Sequence, residues 1–179
     1  AFGWMDTLIL GFFVSSSLIG IYEIAWSLAS TIALVSQSIQ RTLFPTMSRL
    51  DQNDESERII ALLEIGLIYS GVLAIPGLFG AAIIGPELLS IYSPAFTEGS
   101  TILIILIVAR LLDTYRSQLL NAIDAIDRPR ITHYISTVAF IINVILNVTL
   151  VLTVGWTGAA VATAVTAGVV LALSYYAFI

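Results

Sequence analysis

The stretch that decides the fold is TILIILIVARLLDTYRSQLLNAI, residues 101–123. It is long and apolar enough to cross the hydrocarbon core of a bilayer, which takes roughly 20 residues of α-helix. Three of its residues are nevertheless charged: Arg110, Asp113 and Arg116. Charged side chains at that depth are rare and almost always face a bundle interior or a water-filled cavity, so the stretch predicts a membrane protein with a polar interior.

The polar side chains of this helix share one face. At 100° per residue they form a stripe, and its members are Arg110, Asp113, Thr114, Ser117, Asn121 and Asp124. Arg116 lies about a third of a turn away from the stripe. The three charges cost roughly 7–10 kcal/mol of insertion free energy. The twelve Ile, Leu and Val residues offset roughly 4–7 kcal/mol, so the stripe needs protein partners or water.

The rest of the chain is equally apolar. Of its 179 residues, 58% are hydrophobic and 11% are charged, whereas soluble domains are about 45–50% apolar and about 25% charged. The sequence therefore predicts an all-α fold, a polytopic transmembrane bundle of about six helices in one domain, residues 1–179, without a soluble domain. We expect the first helix to be truncated. The predicted spans are 1–16, 20–46, 58–84, 101–123, 131–154 and 158–179.

The distribution of arginine predicts the orientation. Two connections have arginines in or beside them, namely Arg41, Arg49 and Arg58 at the second, and Arg128 and Arg130 at the fourth. The other connections have none. If every span crosses the membrane, the two connections that contain arginines fall on the same side of it. The positive-inside rule then places loops 47–57 and 124–130, and the C-terminus, on the cytoplasmic side of a cell membrane.

Polar residues at similar depth on other spans are possible partners for the stripe. Asp6 and Arg110 each lie roughly 15 Å from the outer end of their spans, by the rise of 1.5 Å per residue. Asn143 is about as deep from the inner side. We expect these three residues to meet near the midplane around a hydrated cavity, with Asn147 one turn outward on the face of Asn143.

Ion pairs offer a purely structural alternative, in which Asp6 and Arg110, or Asp113 and Arg116, hold the bundle together. Other kinds of chemistry are not predicted. The chain has one histidine, His133, and no cysteine, so neither a metal site nor a cofactor is expected. Without a nucleophile motif or a basic block we expect neither an enzyme nor a nucleic-acid-binding protein.

Several stretches carry a family resemblance. The first is DTLILGFFVSSSLIGIYEIAWSLAS at residues 6–30, followed by RTLFPTMSRL at 41–50. The later stretches are GPELLSIYSPAF, QLLNAIDAIDRPRI and NVILNVTLVLTVGWTGAAVATAV. Their order and spacing resemble the second half of polysaccharide flippases, the O-antigen-type transporters of lipid-linked oligosaccharides. These belong to the multidrug/oligosaccharidyl-lipid/polysaccharide (MATE-like) superfamily.

The resemblance implies a function that periodicity does not show. The chain would be the C-terminal lobe of a two-lobe transporter, with an N-terminal lobe of the same protein as its partner. Its substrate would be a polyprenyl-phosphate- or diphosphate-linked glycan in the membrane lipid, moved by alternating access. Arg110 and Arg116 would bind the anionic headgroup, with Arg41 at the inner rim, and Asp6 or Asp113 could couple transport to an ion gradient. The candidate cavity residues are Arg110, Arg116, Asp113, Asp6, Asn143, Asn147, Ser117 and Asn121.

Three other functions stay open from the sequence. A multidrug or cation exporter of the same superfamily would favour acidic and aromatic residues over arginines in its site. A membrane glycosyltransferase or polymerase would be expected to carry a large loop with catalytic residues. A non-transporting membrane scaffold would leave the polar stripe without a purpose beyond helix association.

Overall fold

The computed structural model describes residues 2–51 and 56–178. Within these ranges the chain is almost entirely helical and contains no β-strand, which confirms the predicted all-α fold. The α-helices are α1 (Phe2–Phe13), α2 (Ser16–Asp51), α3 (Ser56–Ser90), α4 (Ser100–Ala125), α5 (Pro129–Val154) and α6 (Thr157–Phe178). A short 3₁₀ helix, Pro94–Gly99, connects α3 to α4.

Four of the described helical segments are long and apolar enough to cross a bilayer. They are Glu57–Ser90, Pro94–Ala125, Pro129–Val154 and Thr157–Phe178. The first two helices are not among them, and α1 has only 12 residues. The fold is therefore that of a polytopic membrane protein, and the spans 1–16 and 20–46 stay predictions.

The connection between α2 and α3 differs from the sequence prediction. The loop predicted at 47–57 is helical over 47–51 and again from residue 56, while residues 52–55 lie outside the described residues. Arg49 in the last turn of α2 and Glu57 in the first turn of α3 carry the charges that the helix dipole favours there. The prediction of a loop is therefore wrong at both ends of 47–57, because a change to polar sequence does not by itself end a helix.

Short turns connect the last three helices. The α5 helix starts at Pro129, where the missing N–H of proline costs nothing because the first helical turn leaves its donors unpaired. The same helix ends at Gly155, whose φ of 81° lies in the left-handed region that glycine adopts readily. These turns keep α4, α5 and α6 next to one another.

The α4 helix is at the centre of the bundle. It packs against α2, α3, α5 and α6, and it buries apolar side chains along most of its length, such as Ile102, Leu106 and Ile123. A buried hydrogen bond from Gln118 Nε2 to Ser70 Oγ, 3.1 Å long, also ties α4 to α3. The charged residues of α4 therefore lie within the bundle on a helix held by four neighbours.

One end of the bundle carries five of the seven arginines of the chain. Met47 of α2, Ile59 of α3 and Ala125 of α4 share an apolar cluster, and Phe178 of α6 packs against it. The ends of α2, α4 and α6 and the start of α3 consequently lie at the same end of the bundle. We term this the basic end after its arginines, whose charge the acidic residues of the same segments balance. They are Arg41, Arg49, Arg58, Arg128 and Arg130.

Gly158 permits the close contact between α5 and α6. A Cβ atom on Gly158 would collide with the backbone carbonyl of Leu150 and lie 2.9 Å from the backbone nitrogen of Val151. We expect Gly158→Ala to lower the free energy of unfolding by about 1–3 kcal/mol, because a backbone cannot move aside as a side chain end can. Gly168→Ala is the matched control, since its nearest new contact would be Leu112 Cδ1 at 3.8 Å. Equal thermal stability of the two variants in detergent would contradict this prediction.

Candidate functional site

The α2 and α4 helices together present a polar surface. Exposed polar side chains recur at helical spacing on α2, and the polar stripe of α4 lies beside them because Arg110 contacts Ser30. We term this surface the polar wall, and its members are Glu23, Ser27, Ser30, Gln37 and Arg41 of α2 and Arg110, Asp113, Ser117, Asn121 and Asp124 of α4. Hydrocarbon solvates such groups poorly, so the wall requires water or protein against it.

Three charged residues of α4 form a triad in the middle of the helix. Asp113 Oδ2 lies 3.5 Å from Arg110 Nη1, and Asp113 Oδ1 lies 2.7 Å from Arg116 Nη2. Arg116 Nε also donates to Asp113 Oδ1 at 2.9 Å. Because one carboxylate is shared by two guanidinium groups, the triad has a net charge of +1. The three side chains are 15–22% exposed, so the charge is neither buried nor fully solvated.

Arg110 is fixed from the side of α2 as well. Its Nη2 donates a hydrogen bond to Ser30 Oγ at 2.9 Å, and its guanidinium carbon lies 4.7 Å from the centre of the Trp26 ring. Stacking on an indole ring stabilises a cation most strongly where little water competes. The Nε of Arg110 is buried and has no hydrogen-bond partner in the described structure. Arg110 is thus held in position and keeps an unused donor.

The polar wall leads into a cavity between α2 and α4 toward the basic end. Its volume is about 660 Å³, and the side chains that line it are Gln37, Arg41, Phe44, Ser117, Asn121 and Asp124. Five of these six side chains are polar or charged, and Phe44 adds an aromatic ring that is 39% exposed. We term this the rim cavity. Small-molecule sites commonly have volumes of 300–1,000 Å³, so its size suits a small ligand or part of a larger one.

Asp6 is the centre of a second polar group, separate from the triad. Its Oδ2 accepts hydrogen bonds from Tyr22 Oη and Thr163 Oγ1, both at 2.7 Å. Its Oδ1 accepts one from Asn147 Nδ2 at 2.8 Å. Asn147 Nδ2 also donates to Asn143 Oδ1 at 3.3 Å. We term this group the Asp6 network, and it joins α1, α2, α5 and α6.

The Asp6 network is enclosed and acidic. Its five side chains are between 0% and 4% exposed, and no arginine or histidine of the described residues pairs with Asp6. Every donor to the carboxylate is neutral, so its charge is stabilised by hydrogen bonds alone. Asn147 Oδ1 is also buried without a hydrogen-bond partner. The network therefore gathers several oxygen acceptors with no cation of the protein among them.

The structure brings together part of the predicted site and separates the rest. Asp6, Asn143 and Asn147 form one hydrogen-bonded group. Arg110 contacts α2 and Asp113 instead, and within residues 2–51 and 56–178 it makes no ion pair with Asp6. The expected meeting of Arg110 with Asp6 and Asn143 is therefore wrong. The alternative pair of Asp113 and Arg116 is present, whereas Ser117 and Asn121 line the rim cavity.

Several contacting residues were not identified from the sequence. Tyr22 and Thr163 complete the Asp6 network, and Trp26 and Ser30 fix Arg110. Trp26 and Ser30 lie four residues apart, on the same α2 face as Tyr22, and this helical spacing could have drawn attention to them. Thr163 is hidden in a run of small residues that by itself indicates only close helix packing.

Part of the chain matches a known protein family. Residues 2–98 match the family described as "Polysaccharide biosynthesis protein". The chain belongs to this polysaccharide biosynthesis family. The matched region includes α1, α2 and α3, and so contains Asp6 and the α2 half of the polar wall.

Curated relatives of the polysaccharide biosynthesis chain include two proteins of Haloferax volcanii. The probable flippase AglR is 39% identical over 97% of this chain and 37% of its own length. The probable low-salt glycan biosynthesis flippase Agl15 is 33% identical over 91% of this chain and 35% of its own length. An uncharacterized membrane protein of Methanocaldococcus jannaschii is 25% identical over 99% of this chain and 41% of its own length. The chain thus spans about two fifths of these relatives, and no solved structure matches it.

Proposed function

We propose that this chain is the C-terminal lobe of a flippase that moves a lipid-linked oligosaccharide across the cell membrane for polysaccharide biosynthesis. The polar wall carries the proposal, because a bundle of apolar helices here keeps a net positive triad partly exposed. A wall of that kind suits a passage for an anionic headgroup through the membrane interior. The flippase names of AglR and Agl15 support the same function.

In this proposal the triad binds the phosphate groups of the substrate. Arg110 and Arg116 each have planar donors that can hold two phosphate oxygens at once. Asp113 compensates only one of the two positive charges. The remaining charge attracts a phosphate strongly because little water screens it at this depth. The lipid tail of the substrate would stay in the bilayer while its headgroup moves along the wall.

The polar wall also suits an interface with a second lobe. Secondary transporters are commonly built from two repeats, with the substrate site between them near the midplane. The relatives are more than twice as long as this chain, which leaves room for another lobe of similar size. Rocking of the two lobes would expose the wall first to the cytoplasm and then to the outside. A lobe that covers the wall would also separate its polar groups from lipid.

The Asp6 network suits the coupling of transport to an ion gradient. Asp6 is a better candidate than Asp113, since two guanidinium groups already neutralise Asp113 whereas neutral donors surround Asp6. A proton or a monovalent cation would neutralise the Asp6 carboxylate. The unpartnered Asn147 Oδ1 offers a further ligand oxygen. Because the network joins four helices, binding there could favour one arrangement of the lobe over another.

Two of the three alternatives, the cation exporter and the scaffold, fit the structure less well. A cation exporter would have to pass its substrate along a wall whose central triad is net positive. A scaffold would have no use for the exposed polar face of α2. Polar groups exposed to lipid cost free energy, and a scaffold gains no function from that cost.

The proposed orientation can be tested by labelling, because the chain has no cysteine of its own. We place the basic end in the cytoplasm, on the positive-inside rule. A cysteine introduced at the exposed Asp127 in an otherwise cysteine-free protein should react with an impermeant maleimide only after the cells are opened. A cysteine at the exposed Glu98, next to the opposite end of α4, should react in intact cells. Labelling in the reverse order would contradict the proposed orientation.

A flipping assay tests the function directly. The natural protein that contains this chain is reconstituted in vesicles with a fluorescent polyprenyl-diphosphate oligosaccharide, and a membrane-impermeant reductant then quenches the outer leaflet. Without flipping about half of the fluorescence is protected, whereas a flippase makes nearly all of it accessible to the reductant. Quenching no greater than in protein-free vesicles would contradict the proposed function and favour the scaffold.

A further inference from the structure

The rim cavity lies at a distance from the triad that suits the first sugar of a headgroup. Ser117 follows Asp113 by four residues, which is about 6 Å along the same face of α4 at a rise of 1.5 Å per residue. A sugar attached directly to a phosphate has its ring only a few ångströms from that phosphate. A substrate held by the triad would therefore extend its first ring toward Ser117, Asn121 and Asp124, which line the cavity.

The chemistry of the rim cavity favours hydroxyl groups over a second phosphate. Gln37 and Asn121 each offer an amide that donates and accepts, and Asp124 offers carboxylate acceptors. Sugar hydroxyls both donate and accept, so they can pair with all three. Arg41 also lines the cavity and offsets the charge of Asp124, so the net positive triad remains the stronger site for a phosphate. Phe44 provides an aromatic face on which the C–H side of a sugar ring can pack.

Asp124 has unused hydrogen-bonding capacity at this place. Its Oδ1 atom is buried and has no hydrogen-bond partner in the described structure. A buried acceptor without a partner costs free energy, and native structures rarely leave one unexplained. A hydroxyl donor in the cavity, with a small shift of the Asp124 side chain, would satisfy this atom.

We infer that the rim cavity is a sugar subsite: it binds the neutral, phosphate-proximal ring of the glycan through Gln37, Asn121 and Asp124, with Phe44 against the ring face. The inference rests on the proposed function and adds to it separate binding sites for the phosphate and for the sugar. The triad binds the phosphate, which all carrier lipids share. The rim cavity distinguishes the sugar that is attached to that phosphate. Specificity for the glycan would thus begin at the basic end of the bundle.

The test compares two lipids that differ by one sugar. Binding of dolichyl phosphate and of dolichyl phosphate mannose is measured with the purified natural protein in detergent at pH 5, where the phosphate monoester, whose second pKa is about 6, carries about one negative charge like the mannosyl diester. We expect the wild type to bind the mannosyl lipid about three- to tenfold more tightly, which corresponds to one or two net hydrogen bonds. Asn121→Ala and Asp124→Asn should each reduce this preference to less than twofold. Asn121→Ala should leave the affinity for dolichyl phosphate within twofold of wild type, and Asp124→Asn, which removes a negative charge, should not weaken it.

Asp127→Asn is the matched control, because it removes an exposed carboxylate three residues beyond Asp124 and outside the rim cavity. It should keep the preference for the mannosyl lipid. Equal wild-type affinity for both lipids, or an unchanged preference in both cavity variants, would overturn the sugar subsite alone. A loss of dolichyl phosphate binding in the cavity variants would also overturn it and assign the cavity to the phosphate. If the wild type bound neither lipid, the proposed function would fail and this inference with it.

Discussion

Replacing Arg110 with alanine should slow the flipping of a polyprenyl-diphosphate oligosaccharide by about 10- to 100-fold. The change removes the net positive charge of the triad and leaves a neutral pair of Asp113 and Arg116. Hydrogen bonds to charged groups are worth about 1.5–3 kcal/mol, and the loss of one such interaction corresponds to the expected decrease. The rate is measured in reconstituted vesicles, with the amount of folded protein determined by size-exclusion chromatography.

A change at Asp113 separates phosphate binding from a purely structural role of the triad. If the triad only held the bundle together, Asp113→Asn would harm the protein at least as much as Arg110→Ala, because it would leave two arginines without their shared partner. If the triad binds phosphate, Asp113→Asn should keep or increase the affinity for the lipid, since it removes the carboxylate that competes with the phosphate for both guanidinium groups. Arg130→Ala, a change at an exposed arginine in the first turn of α5, should leave the rate unchanged. Wild-type flipping by the Arg110→Ala protein would rule out headgroup binding by Arg110.

The sequence was most informative where the chemistry depends on one helix. The stripe of α4 follows from residue spacing and from the cost of charge in hydrocarbon. The pair of Asp113 and Arg116 is likewise an i,i+3 contact that spacing alone allows. In the structure Ser117, Asn121 and Asp124 indeed line one cavity.

The Asp6 network could not be predicted in full because its contacts are distant in the sequence. Asp6 is bonded to residues 141 and 157 positions away. Depth in the membrane suggested Asn143 as a partner, but depth does not determine which faces of the helices meet. Arg110 lies at a similar predicted depth and nevertheless contacts α2, since the rotation of α4 about its axis follows from packing.

The α2 helix shows a second limit of sequence patterns. Its polar residues recur at helical spacing and form half of the polar wall. The same helix also contains an apolar run, LIGIYEIAWSLASTIALV at residues 18–35. A helix that lines a polar surface needs an apolar surface only on its other side, and hydropathy averages the two sides. Averaged hydropathy therefore does not reveal that one face of α2 is polar.

The second large effect is expected at Asp6. Replacing it with asparagine should abolish the acceleration of flipping by an ion gradient, a loss of about tenfold or more if one charged interaction with the ion is removed. Asparagine keeps the shape of the side chain and can still accept a hydrogen bond from Tyr22 or Thr163, but it has no charge to bind a cation. Flipping without a gradient should persist, because the triad and the rim cavity are unchanged. The measurement compares the flipping rate of vesicles with and without a proton or sodium gradient.

Two further variants show whether the carboxylate acts by its charge or by its place in the packing. Tyr22→Phe removes one donor to Asp6 but keeps the negative charge, so the response to the gradient should persist with a shifted ion dependence. Glu87→Gln removes an exposed carboxylate at the end of α3 and should behave as wild type. A structural role would lower the thermal stability of both Asp6→Asn and Tyr22→Phe and leave the response of the folded protein to the gradient intact. An intact response of the folded Asp6→Asn protein to the gradient would contradict ion coupling at Asp6, because it would show that the transport cycle does not use this charge.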